Sequence, residues 1–136
     1  MRGLVVVAIA AAALVACAAG SAGTASQTWL NVTYWDNGID LSAPVRWTLR
    51  CDPPRGTLAR PARACNRVAT GGTKLFAPIP PDVACTQIYG GPQVARVVGV
   101  VSGKRIWATF SRQDGCQISR WNKLSPWLLP PGGVTS

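Results

Sequence analysis

The alternation of apolar and polar positions sets out most of the elements. Thr28–Trp35 places Leu30, Val32 and Tyr34 on one face and Trp29, Asn31, Thr33 and Trp35 on the other, the period-2 pattern of a strand rich in β-branched and aromatic residues. Asp36-Asn37-Gly38 is a turn signal. Pro44–Arg50 alternates again, with Val45, Trp47 and Leu49 expected inward, and the two segments are expected to pair as antiparallel neighbours. Cys51–Gly56 carries two prolines that no strand interior accepts, so it is a loop. Residues from Pro61 to about Thr70 suit a short helix, with Pro61 in its first turn and Gly71-Gly72 ending it. Lys74–Asp82 must be extended, because Pro78, Pro80 and Pro81 interrupt it, and it leads into Val83-Ala84-Cys85. Val94–Val101 and Lys104–Phe110 read as two strands joined by a two-residue turn at Ser102-Gly103. After a turn at Asp114-Gly115, Cys116–Leu124 suits a second short helix, and Pro126–Gly133 holds at most one short edge strand. The sum is an α+β architecture built on an antiparallel sheet.

The first residues stand apart from this pattern. One cation, Arg2, is followed by an uncharged run from Gly3 to Ala16 that is shorter than the roughly 20 residues a membrane span needs. That is the form of a signal peptide, expected over residues 1–16. Leu14-Val15-Ala16-Cys17 matches a bacterial lipobox, which makes Cys17 the expected acylated N-terminus; Ala16-Cys17-Ala18 also satisfies the small-x-small rule of an ordinary secretory signal. Residues 17–27 are small and polar and read as a flexible tether, with the folded domain expected at 28–128 and a loose tail at 129–136.

Composition then removes most chemistry. Among 136 residues there is no His, and the five acidic groups are all Asp against 14 Lys and Arg, a formal charge of +9. Without His there is no Ser-His-Asp or Cys-His nucleophile system. Asp36, Asp40, Asp52, Asp82 and Asp114 mostly occupy turn or cap positions rather than forming an acid/base pair. A zinc site would have to be all Cys, and paired CxxC spacing is lacking. No enzyme activity, no metal and no cofactor are expected. The basic residues are spread from Arg46 to Lys123 without a dense cluster, so no nucleic-acid partner is expected and a solvated cationic surface accounts for the charge. Six Trp residues exceed what a small core needs; core filling is the first expectation, with some placed on a dimer or partner surface. Export implies an oxidising compartment, and setting Cys17 aside leaves Cys51, Cys65, Cys85 and Cys116, an even set for which three pairings are open.

Several stretches resemble the Streptomyces subtilisin inhibitor family: Leu49-Arg-Cys-Asp-Pro-Pro-Arg-Gly-Thr57, Pro61-Ala-Arg-Ala-Cys65, Ala84-Cys-Thr-Gln-Ile-Tyr-Gly-Gly-Pro92, Val100-Val-Ser-Gly-Lys-Arg-Ile106 and Phe110–Cys116. The resemblance implies a five-stranded antiparallel sheet flanked by two short helices, two disulfides (Cys51–Cys65 and Cys85–Cys116) and homodimers formed through sheet packing. It also implies inhibition of secreted serine proteases of the subtilisin or trypsin class by a rigid, substrate-like loop. The reactive bond would be Gln87–Ile88, with Ala84, Cys85 and Thr86 before it and Tyr89 after it as flanking protease contacts. Gln87 departs from the basic residue that suits trypsin and the large apolar residue that suits subtilisin. The alternative function is a cell-envelope lipoprotein that keeps this fold but binds an anionic surface or another protein.

The leader generates one prediction. Two or more acyl chains give stable membrane anchoring, where one gives only marginal binding. The mature protein from its native host is expected to begin at Cys17 and to carry lipid, as read by intact mass. A lipid-free product starting at Ala19 or later would show an ordinary secretory signal.

Overall fold

The computed structural model describes residues 27–132, with Gly3 alone ahead of them; Cys17, the rest of the leader and most of the tether lie outside the described residues. Four strands form the sheet: β1 (Thr28–Trp35), β2 (Val45–Cys51), β3 (Val94–Val101) and β4 (Lys104–Phe110). Their order is β2-β1-β3-β4, antiparallel throughout. Register follows the alternation: Leu30 faces Leu49 and Gly99, Val32 faces Trp47 and Val97, and Tyr34 faces Val45 and Ala95. The β3–β4 connection turns at Ser102 and Gly103, both at positive φ, as a two-residue hairpin whose twist matches the strands requires. Gly99 is needed where β3 meets β1, because a Cβ there would lie 2.0 Å from the Trp29 carbonyl oxygen.

One face of the sheet is covered by α1 (Pro61–Gly71) and α2 (Gly115–Leu124), with a short 3-10 turn at Gly72–Phe76 after α1. α1 begins on Pro61 and buries Ala64, Cys65 and Val68. α2 is capped by Asp114, whose carboxylate accepts from the Gln117 N–H at 2.9 Å, and buries Trp121 and Leu124. The disulfide Cys51–Cys65 ties the end of β2 to α1, and Cys85–Cys116 ties the β3 approach to α2, the pairing that the family resemblance implies.

The fold corrects the expected fifth strand. After α2 the chain makes a turn that buries Trp127, Leu128 and Leu129, where an edge strand would have alternated. Pro126, Pro130 and Pro131 withhold the N–H groups that a ladder needs. Instead the segment serves as acceptor for core indoles: the Trp47 N–H donates to the Leu128 carbonyl at 3.1 Å and the Trp121 N–H to the Pro130 carbonyl at 2.8 Å. Val45, expected inward, is exposed at the open end of edge strand β2, although its alternation with Trp47 and Leu49 holds. Of the six Trp residues, Trp35, Trp121 and Trp127 are buried and Trp29 and Trp47 are half-buried, while Trp107 stands 79% exposed opposite Val98 on the uncovered sheet face.

Stability is expected to track these placements. Trp121→Ala removes the largest fully buried side chain and its indole hydrogen bond, and should cost about 3–5 kcal/mol in urea denaturation. Trp107→Ala should stay within about 0.5 kcal/mol.

Candidate binding loop

Residues between Ala77 and Gln93 have no regular secondary structure, yet fixed contacts hold them on both sides of a short exposed stretch. Three prolines limit the backbone of the entry, and the Val83 N–H closes a turn onto the Pro80 carbonyl at 3.2 Å. At the start of the entry Arg120 of α2 donates from Nε to the Ala77 carbonyl at 3.0 Å, and from Nη1 to the Thr109 carbonyl at 3.1 Å and Gln117 Oε1 at 2.9 Å. Its guanidinium lies 4.5 Å from the Phe110 ring centre, and burial lowers its pKa from the ordinary arginine value.

Closer to the tip, Cys85 is bonded to Cys116 in the first turn of α2. One residue on, the Thr86 carbonyl accepts from the Gly115 N–H at 2.9 Å. The Thr86 side chain occupies the space over Gly115, where a Cβ would come within 2.0 Å of Oγ1. On the far side, Gly90 is held by a single residue: its N–H donates to the Arg112 carbonyl at 2.7 Å, and its own carbonyl accepts from Arg112 Nε at 3.1 Å. A Cβ at Gly90 would crowd the Ile118 side chain, at 2.8 Å.

Between these brackets stand Gln87, Ile88 and Tyr89. All three are exposed, Ile88 by 61% and Tyr89 by 65%, and none of their backbone groups takes part in the hydrogen bonds found among the described residues. Ala84 and Thr86 are exposed as well, and Cys85 is half-buried by its disulfide. Five of the six consecutive residues expected at the loop are therefore accessible, with Cys85 half-buried among them. The arrangement leaves free backbone N–H and C=O groups with which an added strand can pair.

The cluster of Cys85, Asp114 and Cys116 has the residue types of a metal site. Both sulfurs are consumed in the bond between them, and the Asp114 carboxylate is engaged as the α2 cap, so no thiolate is available as a ligand. Arg112 and Arg120 are the functional contacts that the sequence did not reveal. Each lies in a stretch that reads only as connector or amphipathic helix, and each reaches a carbonyl 22 or 43 residues away.

The subtilisin inhibitor-like family matches residues 25–113, about two-thirds of the chain, a stretch that includes all four strands and the exposed loop. Among solved structures the chain is similar to Streptomyces caespitosus sermetstatin, crystallised in complex with Bacillus licheniformis subtilisin. Identity is 24% and the TM-score 0.51, over 77% of this chain and 99% of that one, a likeness of fold. No curated protein matched the chain. The chain belongs to the subtilisin inhibitor-like family, a family of inhibitors and not of enzymes.

Proposed function

We propose that this protein inhibits an extracellular serine protease of the subtilisin or trypsin class by offering residues 84–89 to the active-site cleft as a slowly cleaved substrate, with Gln87–Ile88 as the bond presented. The observation that carries this reading is the exposed Gln87-Ile88-Tyr89 stretch, held from one side by Cys85 and Thr86 and from the other by Gly90. Family membership, and a structural relative seen in complex with subtilisin, support it. A preformed loop loses little conformational freedom on binding, where each immobilised side chain otherwise costs about 0.5–1.5 kcal/mol. The two disulfides are those of a protein that works in an oxidising, extracellular setting. Acylation at Cys17 would keep the inhibitor at the surface of the cell that exports it. The uncovered sheet face around Val98 and Trp107 is the surface on which a homodimer would form.

Gln87 sets the expected selectivity. It brings no cation to an acidic specificity pocket, and its buried amide would need partners there. Wild-type protein is therefore expected to inhibit trypsin poorly. Gln87→Lys should create trypsin inhibition, and Gln87→Met or Gln87→Leu should strengthen binding to subtilisin-like enzymes. Each tenfold change corresponds to about 1.4 kcal/mol, and changes of about ten- to a thousandfold in the inhibition constants are expected. If Gln87→Lys folds normally and leaves trypsin fully active at micromolar concentration, the loop is not presented as a substrate.

A further inference from the structure

Arg112 is the one buried charged side chain among the described residues, at 6% exposure. Its hydrogen-bond partners are neutral: the Gly90 carbonyl at 3.1 Å from Nε, and Asn122 Oδ1 at a long 3.5 Å from Nη1. The Trp121 ring lies 5.9 Å from the guanidinium carbon. Gly132 closes the cage, since a Cβ there would lie 2.0 Å from that carbon. A guanidinium buried among neutral groups is unfavourable unless its hydrogen bonds compensate. A core position that needed only volume would be filled better by an apolar side chain.

What the Arg112 side chain adds is a second hold on Gly90: any residue there would offer its backbone carbonyl to the Gly90 N–H, and Nε takes the Gly90 carbonyl as well. The two halves of the loop are held unequally. On the Gln87 side the hold is covalent, through Cys85–Cys116. On the Ile88 side the next regular structure is β3 at Val94, and Gly90 is the first fixed point.

We propose that Arg112 is the positioning residue that makes this loop an inhibitor instead of a substrate, by holding Gly90 and with it the Ile88 side of the reactive bond. The inference rests on the reading of Gln87–Ile88 as that bond. In the first step a protease serine takes the Gln87 acyl group as an ester, the Gln87–Ile88 bond breaks, and the serine's proton ends on the Ile88 amine. If the amine stays in place it attacks the ester, the peptide bond re-forms and the serine recovers its hydroxyl. If the amine swings away, water attacks instead and the Gln87 carboxylate is released. Arg112 decides between these by keeping the amine two residues from a fixed point.

The test compares the full chain with Arg112→Met, Arg112→Lys and a control, Val68→Ala, which removes a buried α1 side chain outside the residues that hold the loop. The first readout needs no protease: amide hydrogen exchange at residues 87–91. Arg112→Met should speed exchange of the Gly90 N–H, the one hydrogen-bonded amide of this stretch among the described residues, by about ten- to a hundredfold, the span that corresponds to one hydrogen bond from a charged donor. Arg112→Lys should give an intermediate value, and Val68→Ala should lower the melting temperature without this local change. The second readout is the lifetime of inhibition with a subtilisin that the wild type inhibits. Arg112→Met should associate at the wild-type rate but be cleaved at Gln87–Ile88 faster by a similar factor, so that inhibition becomes temporary. Wild-type exchange of the Gly90 N–H in folded Arg112→Met overturns the proposal, as does an equal loosening in Val68→Ala. If Arg112→Met does not fold, Arg112→Lys decides by the same exchange criterion. A wild type that inhibits no protease defeats the functional reading by itself, while the exchange measurement still decides whether Arg112 holds the loop.

Discussion

A segment that lends its backbone to another protein as an added strand must stay extended while its own N–H and C=O groups remain unpaired. No sheet ladder can enforce that shape, so it has to be imposed from the ends. Here, beyond the entry's own prolines and the turn at Pro80–Val83, the constraints come from one short part of the chain, residues 112–120. Arg112 holds Gly90, Gly115 holds Thr86, Cys116 holds Cys85 and Arg120 holds Ala77. The linker after β4 and the first turns of α2 form the platform on which the exposed stretch rests. The platform is itself anchored by Trp121 and Leu124 in the sheet core.

That dependence gives the segment after α2 a role beyond closing the domain. Had the chain ended in a fifth strand, its residues would have lengthened the sheet edge. Instead Leu128 and Leu129 turn back onto the core, the Leu128 and Pro130 carbonyls accept the Trp47 and Trp121 indoles, and Gly132 covers the Arg112 guanidinium. Below the loop, Tyr34 joins the same cluster: its ring lies 6.2 Å from that of Trp121, and its hydroxyl donates to Asp36 at 2.7 Å. Burial, reinforced by the Asp36 carboxylate, raises the Tyr34 phenol pKa above its ordinary value, so it stays protonated through neutral pH.

Where local pattern and tertiary demand coincide, the sequence was a sufficient guide. β3 and β4 keep a two-residue alternation of burial because one of their faces is covered, whereas β1 keeps it at Leu30–Val32 and then buries Trp35 on the opposite face. Pro61 and the Gly71-Gly72 pair mark α1 through their own backbone preferences. The C-terminal segment was not legible in this way: its prolines argue against a strand, but the burial of Leu128 and Leu129 is decided by space left in the core. The expected five strands came from family likeness, and the family match itself ends at residue 113, before α2. The site was half legible. Cys85-Thr-Gln-Ile-Tyr89 stood out between Pro-rich and Gly-Gly-Pro flanks, whereas nothing distinguishes Arg112 or Arg120 from the other cations until the fold brings each to a distant carbonyl.

Whether the fold holds both sides of Gln87–Ile88 in place is read from the equilibrium across that bond. Intact protein and protein cleaved at Gln87–Ile88 are each incubated with a catalytic amount of a subtilisin, and both are followed by mass. The two should converge on one mixture in which the intact form is abundant, because the cleaved ends remain where they can rejoin. Cleavage that runs to completion from one side, with no intact chain recovered from the other, would contradict it.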